Sequence, residues 1–341
     1  MEPWWEVPAN PSAAHRAGQR ASAALEDARE AVAALVGRPA AGIVFGSGAT
    51  EANHHAMLIA WSRGARRAGV AGVEHPGVKA GAALAGLEVV PLPVDSEGRI
   101  ALLPVDVLCC MAVNHETGVR QDVEAAVAAR TAGLVEWVHC DAAQALGKGA
   151  VAGLGGVDSA VVSAHKLGGP IGVGALSLLD RDSGVPLFGG GGQERGLRSG
   201  TVNVPGVVGF GAACRAALRD AQARWSRWTE LAERLRAGLR ALGAREMGAG
   251  AARVPTHTCV VFDGVEGETL VQALDLQGIA VSSGSACASG SSERSPVLVA
   301  MGEAHSSGAL RVSLGPDTQL GDVERLLAAL PRPLDTLSDA R

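Results

Sequence analysis

Val157-Asp158-Ser159-Ala160-Val161-Val162-Ser163-Ala164-His165-Lys166-Leu167-Gly168-Gly169-Pro170 is the stretch that decides the fold. Its first half is a short run of small and β-branched apolar residues bounded by turn formers, which reads as a buried strand. Its second half breaks at glycine and proline, so the strand ends in a loop carrying one histidine and one lysine. The same kind of run recurs on both sides: Ile43-Val44-Phe45, LEVVPLPV (87–94), VDVLCCMAV (105–113), LVEWVHC (134–140) and VGALSLL (173–179). Alanine-rich helical stretches alternate with them, among them 13–36, 51 to about 67 and 123–133. Strands alternating with helices imply an α/β layer around a mostly parallel sheet.

A glycine-rich loop, LFGGGGQERGLRSGT (187–201), closes this region, and a helical pattern over 204–242 leads into a second part of the chain. Its expected strands are HTCVVFD (257–263), GIAVSS (278–283) and ALRVSLG (309–315), with helices over 267–276 and 322–330.

Composition narrows the chemistry. The 341 residues carry 30 Lys+Arg against 35 Asp+Glu, a net charge of −5, and 47% are hydrophobic. That is a globular balance with no electrostatic footprint for nucleic acid or an anionic membrane. No apolar run approaches the ~18 residues needed to span a bilayer. The opening residues have neither a basic nor an apolar signal segment, and the six cysteines are scattered, so the expected compartment is the reducing cytoplasm. The cysteine and histidine spacings form no zinc pattern, so no metal is expected. Tyrosine is absent, which excludes any tyrosine-based mechanism, and the lysines number three: Lys79, Lys148 and Lys166.

Three features converge on one cofactor. Gly46-Ser47-Gly48-Ala49-Thr50 turns out of a strand into a helix and offers free N–H groups and a positive dipole end to an anion. Alone, it serves equally well as a plain tight turn with Thr50 as helix N-cap. Lys166 follows a strand at the sheet edge where ligands bind in such folds. Asp141 follows the strand at 134–140, where an isolated carboxylate is often a helix cap. Pyridoxal phosphate uses all three: an anion cradle, an amine for a Schiff base and a carboxylate that keeps its ring nitrogen protonated. Two further residues stand out. Cys287, among small polar residues in SSGSACASG (282–290), suits an exposed reactive thiol. Arg311 interrupts an apolar strand and suits a substrate carboxylate.

In order along residues 10–330 the chain resembles the pyridoxal-phosphate-dependent cysteine desulfurases of the NifS/IscS type, in the class V aminotransferase superfamily. The resemblance is carried by NPSAAHRAG (10–18), SGATEANHH (47–55), VEHPGV (73–78), NHETGV (114–119), HCDAAQALGK (139–148), SAHKLGGPIGVGAL (163–176), GGGGQERGLRSGTVN (189–203), the cysteine segment and LRVSLG (310–315). It implies a fold type I transferase: a large domain (14–210) around a mostly parallel seven-stranded sheet sandwiched by helices. A smaller α+β domain (1–13 and 211–341) would carry the reactive-cysteine loop.

The resemblance also implies roles. Lys166 would carry the cofactor as a Schiff base, Asp141 would pair with its ring nitrogen and His75 would stack on its ring. Thr50, Ser163, His165 and the Ala49 backbone would hold the phosphate, with Thr201 supplied by the other subunit of a homodimer. Asn114 and Gln144 would flank the ring hydroxyl, Asn114 lying near substrate as well, and Arg311 would hold the carboxylate of L-cysteine. Cys287 would take the sulfur as a persulfide and leave L-alanine, with a sulfur-acceptor protein for iron–sulfur assembly or thio-modification as the partner. Alternatives are a selenocysteine lyase or another β-lyase on the same cofactor, or a non-catalytic paralogue that binds partners.

Overall fold

The computed structural model describes residues 1–6, 9–149, 151–284, 294–303 and 307–339. A seven-stranded sheet forms from β1 (Ile43–Gly46), β2 (Arg67–Ala71), β3 (Glu88–Leu92), β4 (Val105–Cys109), β5 (Val135–Asp141), β6 (Ser159–Ser163) and β7 (Gly174–Leu178). Its order is β1-β7-β6-β5-β4-β2-β3. The strands from β3 through β6 pair in parallel, and β7 runs antiparallel to both neighbours. The seven-stranded, mostly parallel α/β architecture expected from the sequence is the one observed.

Helices α1 (Arg16–Val36), α2 (Ala49–Ser62), α3 (Pro76–Leu84), α4 (Val123–Thr131) and α5 (Val204–Ala241) follow from their apolar periodicity and caps. His15 Nδ1 caps α1 by accepting from Gly18 N, and Asn203 caps α5 by accepting from Gly206 N. Alternation along each strand sends its side chains to two cores. Val138, Cys140 and Val162 join Val32 of α1 and Phe210 of α5 on one face; Trp137 and Val161 join Met57 of α2 and Val78 of α3 on the other. Burial of branched and aromatic side chains on both faces is worth about 1.5–3 kcal/mol for each one fully buried.

The far half of α5 turns its apolar face, Trp228, Leu231, Leu235 and Leu239, to a third core. There a small antiparallel sheet is ordered β10-β9-β8, from β8 (Arg245–Glu246), β9 (His257–Val261) and β10 (Ala309–Ser313). Helices α6 (Gly267–Asp275), α7 (Pro296–Ala300), α8 (Leu320–Ala329) and α9 (Pro331–Asp339) complete this part. No helix among the described residues is long and apolar enough to cross a membrane.

Three local expectations fail. The helix expected to run to about 67 stops at Ser62, because Gly64 (φ 108°) turns the chain into β2. That strand, Arg-Ala-Gly-Val-Ala, has one β-branched residue, and its position between β4 and β3 makes it a strand despite weak propensity. The run 278–283 forms no strand. Ile279 N is spent on Leu274 O at the end of α6, and only Ser282 exchanges hydrogen bonds with Arg311. Thr50 is not the N-cap of α2; Gly48 is, without a side-chain cap.

Candidate active site

A cavity of about 820 Å³ opens at the ends of β5 and β6, between the large sheet and the small one. Lys166 enters from a single 3-10 turn, Ala164–Leu167, immediately after β6, and Asp141 is the last residue of β5. His75 lines it from the start of α3, where its Nδ1 accepts from Gly77 N at 3.0 Å and so fixes the ring. Ala49 and Thr50 line it at the start of α2, Ser163 and His165 beside Lys166, Gln144 after β5, and Arg311 from β10.

The start of α2 is built to leave its amides free. Gly48 has φ 157° and ψ −176°, a region open in practice only to glycine, and it brings no capping side chain. Gly174 of β7 passes so close that a Cβ there would meet Gly48 Cα at 2.7 Å. Glu51 holds the turn from outside, accepting from Ser47 N at 3.1 Å and pairing with Arg198 at 2.9 Å. Burial opposes that charge, and the bonds from Arg198 and Ser47 outweigh it, so Glu51 titrates below the ordinary range. The first amides of α2 therefore face the cavity without intrahelical partners.

Asp141 is buried, and both of its oxygens accept hydrogen bonds: Oδ1 from Ala143 N at 3.0 Å and Oδ2 from Asn53 Nδ2 at 2.9 Å. Its neighbour Glu74 is buried too, with Oε1 accepting from Met111 N and Oε2 unpartnered. Burial first and the Asp141 charge second push Glu74 up to about 8, so it is neutral at neutral pH.

Several wall residues were not singled out from sequence. His115 lies with its ring centroid 5.7 Å from that of His75, edge to face, and its buried Nδ1 has no partner. Burial, then the proximity of His75, push it down to about 4, so it is a neutral imidazole. Lys148 also lines the cavity, donating to Gln144 Oε1, and burial followed by Lys166 and Arg311 bring it down to about 7. His257 is buried on the opposite wall, and burial together with Lys148 and Arg311 keeps it neutral.

Two expected site residues lie elsewhere. Asn114 is buried but does not line the cavity; Oδ1 accepts from Glu116 N, Thr117 N and Thr117 Oγ1, and Nδ2 donates to Val73 O at 3.0 Å. Its amide shapes the turn at 114–117. Thr201 is exposed, away from the cavity. Cys287 lies outside the described residues; the five other cysteines are buried and free.

The residues present fit pyridoxal phosphate. A helix start with open amides would hold an anion, the buried Asp141 carboxylate would meet a protonated ring nitrogen, and the strand-end Lys166 lines the same cavity. The unpartnered Nδ1 of His115 is a buried polar atom of the kind a bound group satisfies. The class-V aminotransferase family model matches residues 4–326. The chain belongs to that family. Among class-V relatives, a cysteine desulfurase of Cereibacter sphaeroides is 40% identical over 349 residues, covering 96% of this chain and 89% of that protein. Cysteine desulfurase IscS of Anaeromyxobacter sp. is 41% identical over 355 residues, covering 96% and 86%. Of solved class-V structures, a NifS-like protein superimposes with a TM-score of 0.87 at 31% identity, covering 98% of this chain and 93% of that one.

Proposed function

We propose that this protein is a pyridoxal-phosphate-dependent cysteine desulfurase that converts L-cysteine to L-alanine and passes the sulfur to Cys287. The observation that carries the reading is the convergence on one cavity of Lys166, Asp141 and the open start of α2, with Arg311 facing them from the small sheet.

When bound, pyridoxal phosphate supplies an aldehyde for amine attachment and a conjugated ring that takes up the charge left when a proton is removed from Cα. Lys166 Nζ would be the attachment point and, once displaced by the substrate amine, the base that takes the Cα proton. The Asp141 carboxylate would hold the ring nitrogen protonated, and the His75 imidazole, fixed by its bond from Gly77 N, would cover the ring face. The phosphate would lie against the amides of Ala49 and Thr50, the Thr50 hydroxyl and the pair Ser163 and His165, whose Oγ and Nδ1 are 2.8 Å apart.

Gln144 would reach the ring hydroxyl, its orientation set by Lys148. Asn114, whose amide is engaged within the protein, would act on the pocket through the turn it builds. Among the described residues, the Arg311 guanidinium makes long contacts, 3.4 Å to His115 O and to Gly284 O, and its buried Nε has no partner. That unmet donor capacity suits the substrate carboxylate. The Cys287 thiolate would attack the substrate sulfur; an S–S bond forms as the Cβ–S bond breaks, and the electron pair left on Cβ takes a proton to give alanine.

Thr201 is exposed and does not line its own chain's cavity, which supports a homodimer in which it contacts the other subunit's phosphate. The sulfur would then go to an acceptor protein for iron–sulfur cluster assembly or thio-modification. The test is incubation of purified protein with L-cysteine and a thiol reductant, measuring alanine and sulfide together. Equal amounts are expected; pyruvate in place of alanine would identify a β-lyase.

A further inference from the structure

Behind Asp141 runs a line of buried polar groups that the proposed reaction does not use. Trp137 Nε1 lies 3.0 Å from Ser159 Oγ, Ser159 Oγ 2.9 Å from His139 Nδ1, His139 Nε2 2.9 Å from Asn53 Oδ1, and Asn53 Nδ2 2.9 Å from Asp141 Oδ2. The side chains come from three elements. Trp137, His139 and Asp141 alternate along β5, Ser159 is the register partner of His139 on β6, and Asn53 reaches down from α2. Ser159, His139 and Asn53 are each 0% exposed, so water cannot stand in for any link.

The donor inventory fixes the direction of every bond. An indole N–H can only donate, so Ser159 Oγ accepts from Trp137. At the other end a carboxylate oxygen can only accept, so Asn53 turns its NH2 to Asp141 and its oxygen to His139 Nε2, which leaves Nδ1 to accept the Ser159 proton. Nδ1 is then the acceptor, so the proton of the neutral ring sits on Nε2 and is donated to Asn53 Oδ1. With its oxygen committed to His139, Asn53 can present only its NH2 to Asp141. We propose that this one-way chain, Trp137 to Ser159 to His139 to Asn53 to Asp141, locks the Asp141 carboxylate as an oriented acceptor toward the cofactor, which makes Ser159, His139 and Asn53 positioning residues of the active site.

The alternative arrangements are penalised by the burial. If the His139 proton moved to Nδ1, Nε2 would face Asn53 Oδ1 acceptor to acceptor. The amide would then have to turn its oxygen on Asp141. Burial holds His139 well below the ordinary imidazole value, so the ring stays neutral and one tautomer is all that needs choosing. Of the other titratable neighbours, Glu74 ionises at about 8 beside Asp141, and the only charge that acts on His139 is that of Asp141. Asp141 on the same strand accepts through Asn53, and the thiol of Cys109, beside His139 on β4, is held neutral by its own burial. Asn53 and Ser159, the groups facing the ring from α2 and β6, do not titrate.

The proposal rests on Asp141 being the carboxylate that pairs with the cofactor ring, and the experiment separates the two. The full chain, labelled with ¹⁵N-histidine and free of cofactor, is read by side-chain ¹H–¹⁵N NMR, with His139 assigned through His139→Gln. A single Nε2-protonated tautomer, unchanged from about pH 6 to about pH 9, is expected. An Nδ1-protonated ring, or one that titrates in that range, overturns the proposal on the wild-type protein with no variant required. Ser159→Ala, three bonds from Asp141 and outside the cavity, should release the tautomer lock. It should also weaken pyridoxal phosphate binding about tenfold, the scale of one lost charge-assisted hydrogen bond, and shift the pH midpoint of the bound cofactor's absorbance; Ser159→Thr should restore both. A Ser159→Ala protein that keeps the lock, or loses it without change in affinity or absorbance, overturns the proposal. Asp141→Asn is the control: if it binds pyridoxal phosphate as tightly as wild type, the assignment of Asp141 itself fails and the proposal with it, however the ring of His139 behaves.

Discussion

Lys148 Nζ donates to Gln144 Oε1 at 2.5 Å, inside the cavity that Lys166 also lines. Two of the protein's three lysines thus share one pocket. Burial, then the charges of Lys166 and Arg311, lower Lys148 from 10.5 to about 7. A folded chain that binds this proton more weakly than the unfolded chain gains stability as pH rises between those two values. The penalty is complete below the folded value and gone above the unfolded one. Cofactor-free Lys148→Met is therefore expected to resist urea better than wild type by about 1–2 kcal/mol near pH 6, with the advantage fading toward about pH 10. Paired denaturation curves at the two pH values check this. A gain that does not depend on pH would mean that apolar packing of methionine, rather than removal of a buried amine, is responsible.

The shared pocket also makes the attachment lysine a question with a direct chemical answer. Lys166 stands three residues after Ser163, the last residue of β6, and Lys148 donates to Gln144. Borohydride reduction of the cofactor-loaded protein, followed by proteolysis and mass spectrometry, is expected to leave the pyridoxyl group on the Lys166 peptide alone. Lys166→Ala should lower the rate of alanine formation by at least about 10²- to 10⁴-fold, the range for loss of a general base, and Lys148→Met much less. A label on Lys148 would reverse the roles given to the two amines.

The strand-end positions of Lys166 and Asp141 were legible in sequence because β5 and β6 are short, buried, valine-rich runs with sharp ends. Alternation along β5 also puts His139 on the same face as Asp141, so half of the chain behind the carboxylate could have been read. The other half could not. Asn53 and Ser159 join it from α2 and β6, and no spacing within one element records that meeting. Lys148 was hidden because the segment 142–149 is a series of turns without a period. Strand β2 was hidden because Arg67-Ala68-Gly69-Val70-Ala71 owes its strand state to its neighbours. The partners of Asn114 were not legible because a polar residue in a motif reads the same whether its amide meets a ligand or the backbone around it.

Arg311 supplies a prediction about substrate rather than cofactor. Among the described residues its guanidinium reaches two carbonyl oxygens at 3.4 Å, which leaves planar donor capacity for a carboxylate. Arg311→Lys keeps the charge and loses the paired donors. The KM for L-cysteine should rise about 10- to 100-fold, with the absorbance of the bound cofactor unchanged and kcat altered less. An effect on kcat with an unchanged KM would place this arginine elsewhere in the reaction.

Cys287→Ala should separate sulfur transfer from the earlier chemistry. L-cysteine should still perturb the cofactor absorbance on mixing, since Lys166, Asp141 and Arg311 are intact. Alanine and sulfide formation should fall by at least about 10²-fold, and no persulfide should be trapped by an alkylating reagent. Retained sulfide release in this variant would favour a β-lyase that needs no protein thiol.

The loop that carries Thr201 is anchored by a buried ion pair, and this anchor is testable without any ligand. Arg29 NH1 and NH2 meet Glu194 Oε2 and Oε1 at 2.8 Å each; Phe45 N also donates to Oε2, and Arg29 NH1 donates to Ile43 O. The pair ties α1 and β1 to the loop where, alone among the described residues, two non-glycine residues, Glu194 (φ 47°) and Arg195 (φ 59°), hold left-handed backbone. That conformation costs on the order of 1–3 kcal/mol per residue and persists only where other contacts impose it. Removing Glu194 leaves the buried Arg29 with only the half-exposed Glu26, 3.1 Å from its Nε, as a counter-charge, so Glu194→Ala should destabilise the fold by up to about 3–5 kcal/mol, offset in part as the strained loop relaxes. Replacing both residues, Arg29→Met with Glu194→Leu, should restore much of the global stability but not the loop geometry. The double variant should therefore unfold at a denaturant concentration closer to wild type while its loop, followed by proteolysis near residue 195, is cut faster. If the double variant protects the loop as well as wild type does, the strained backbone is held by something other than this ion pair.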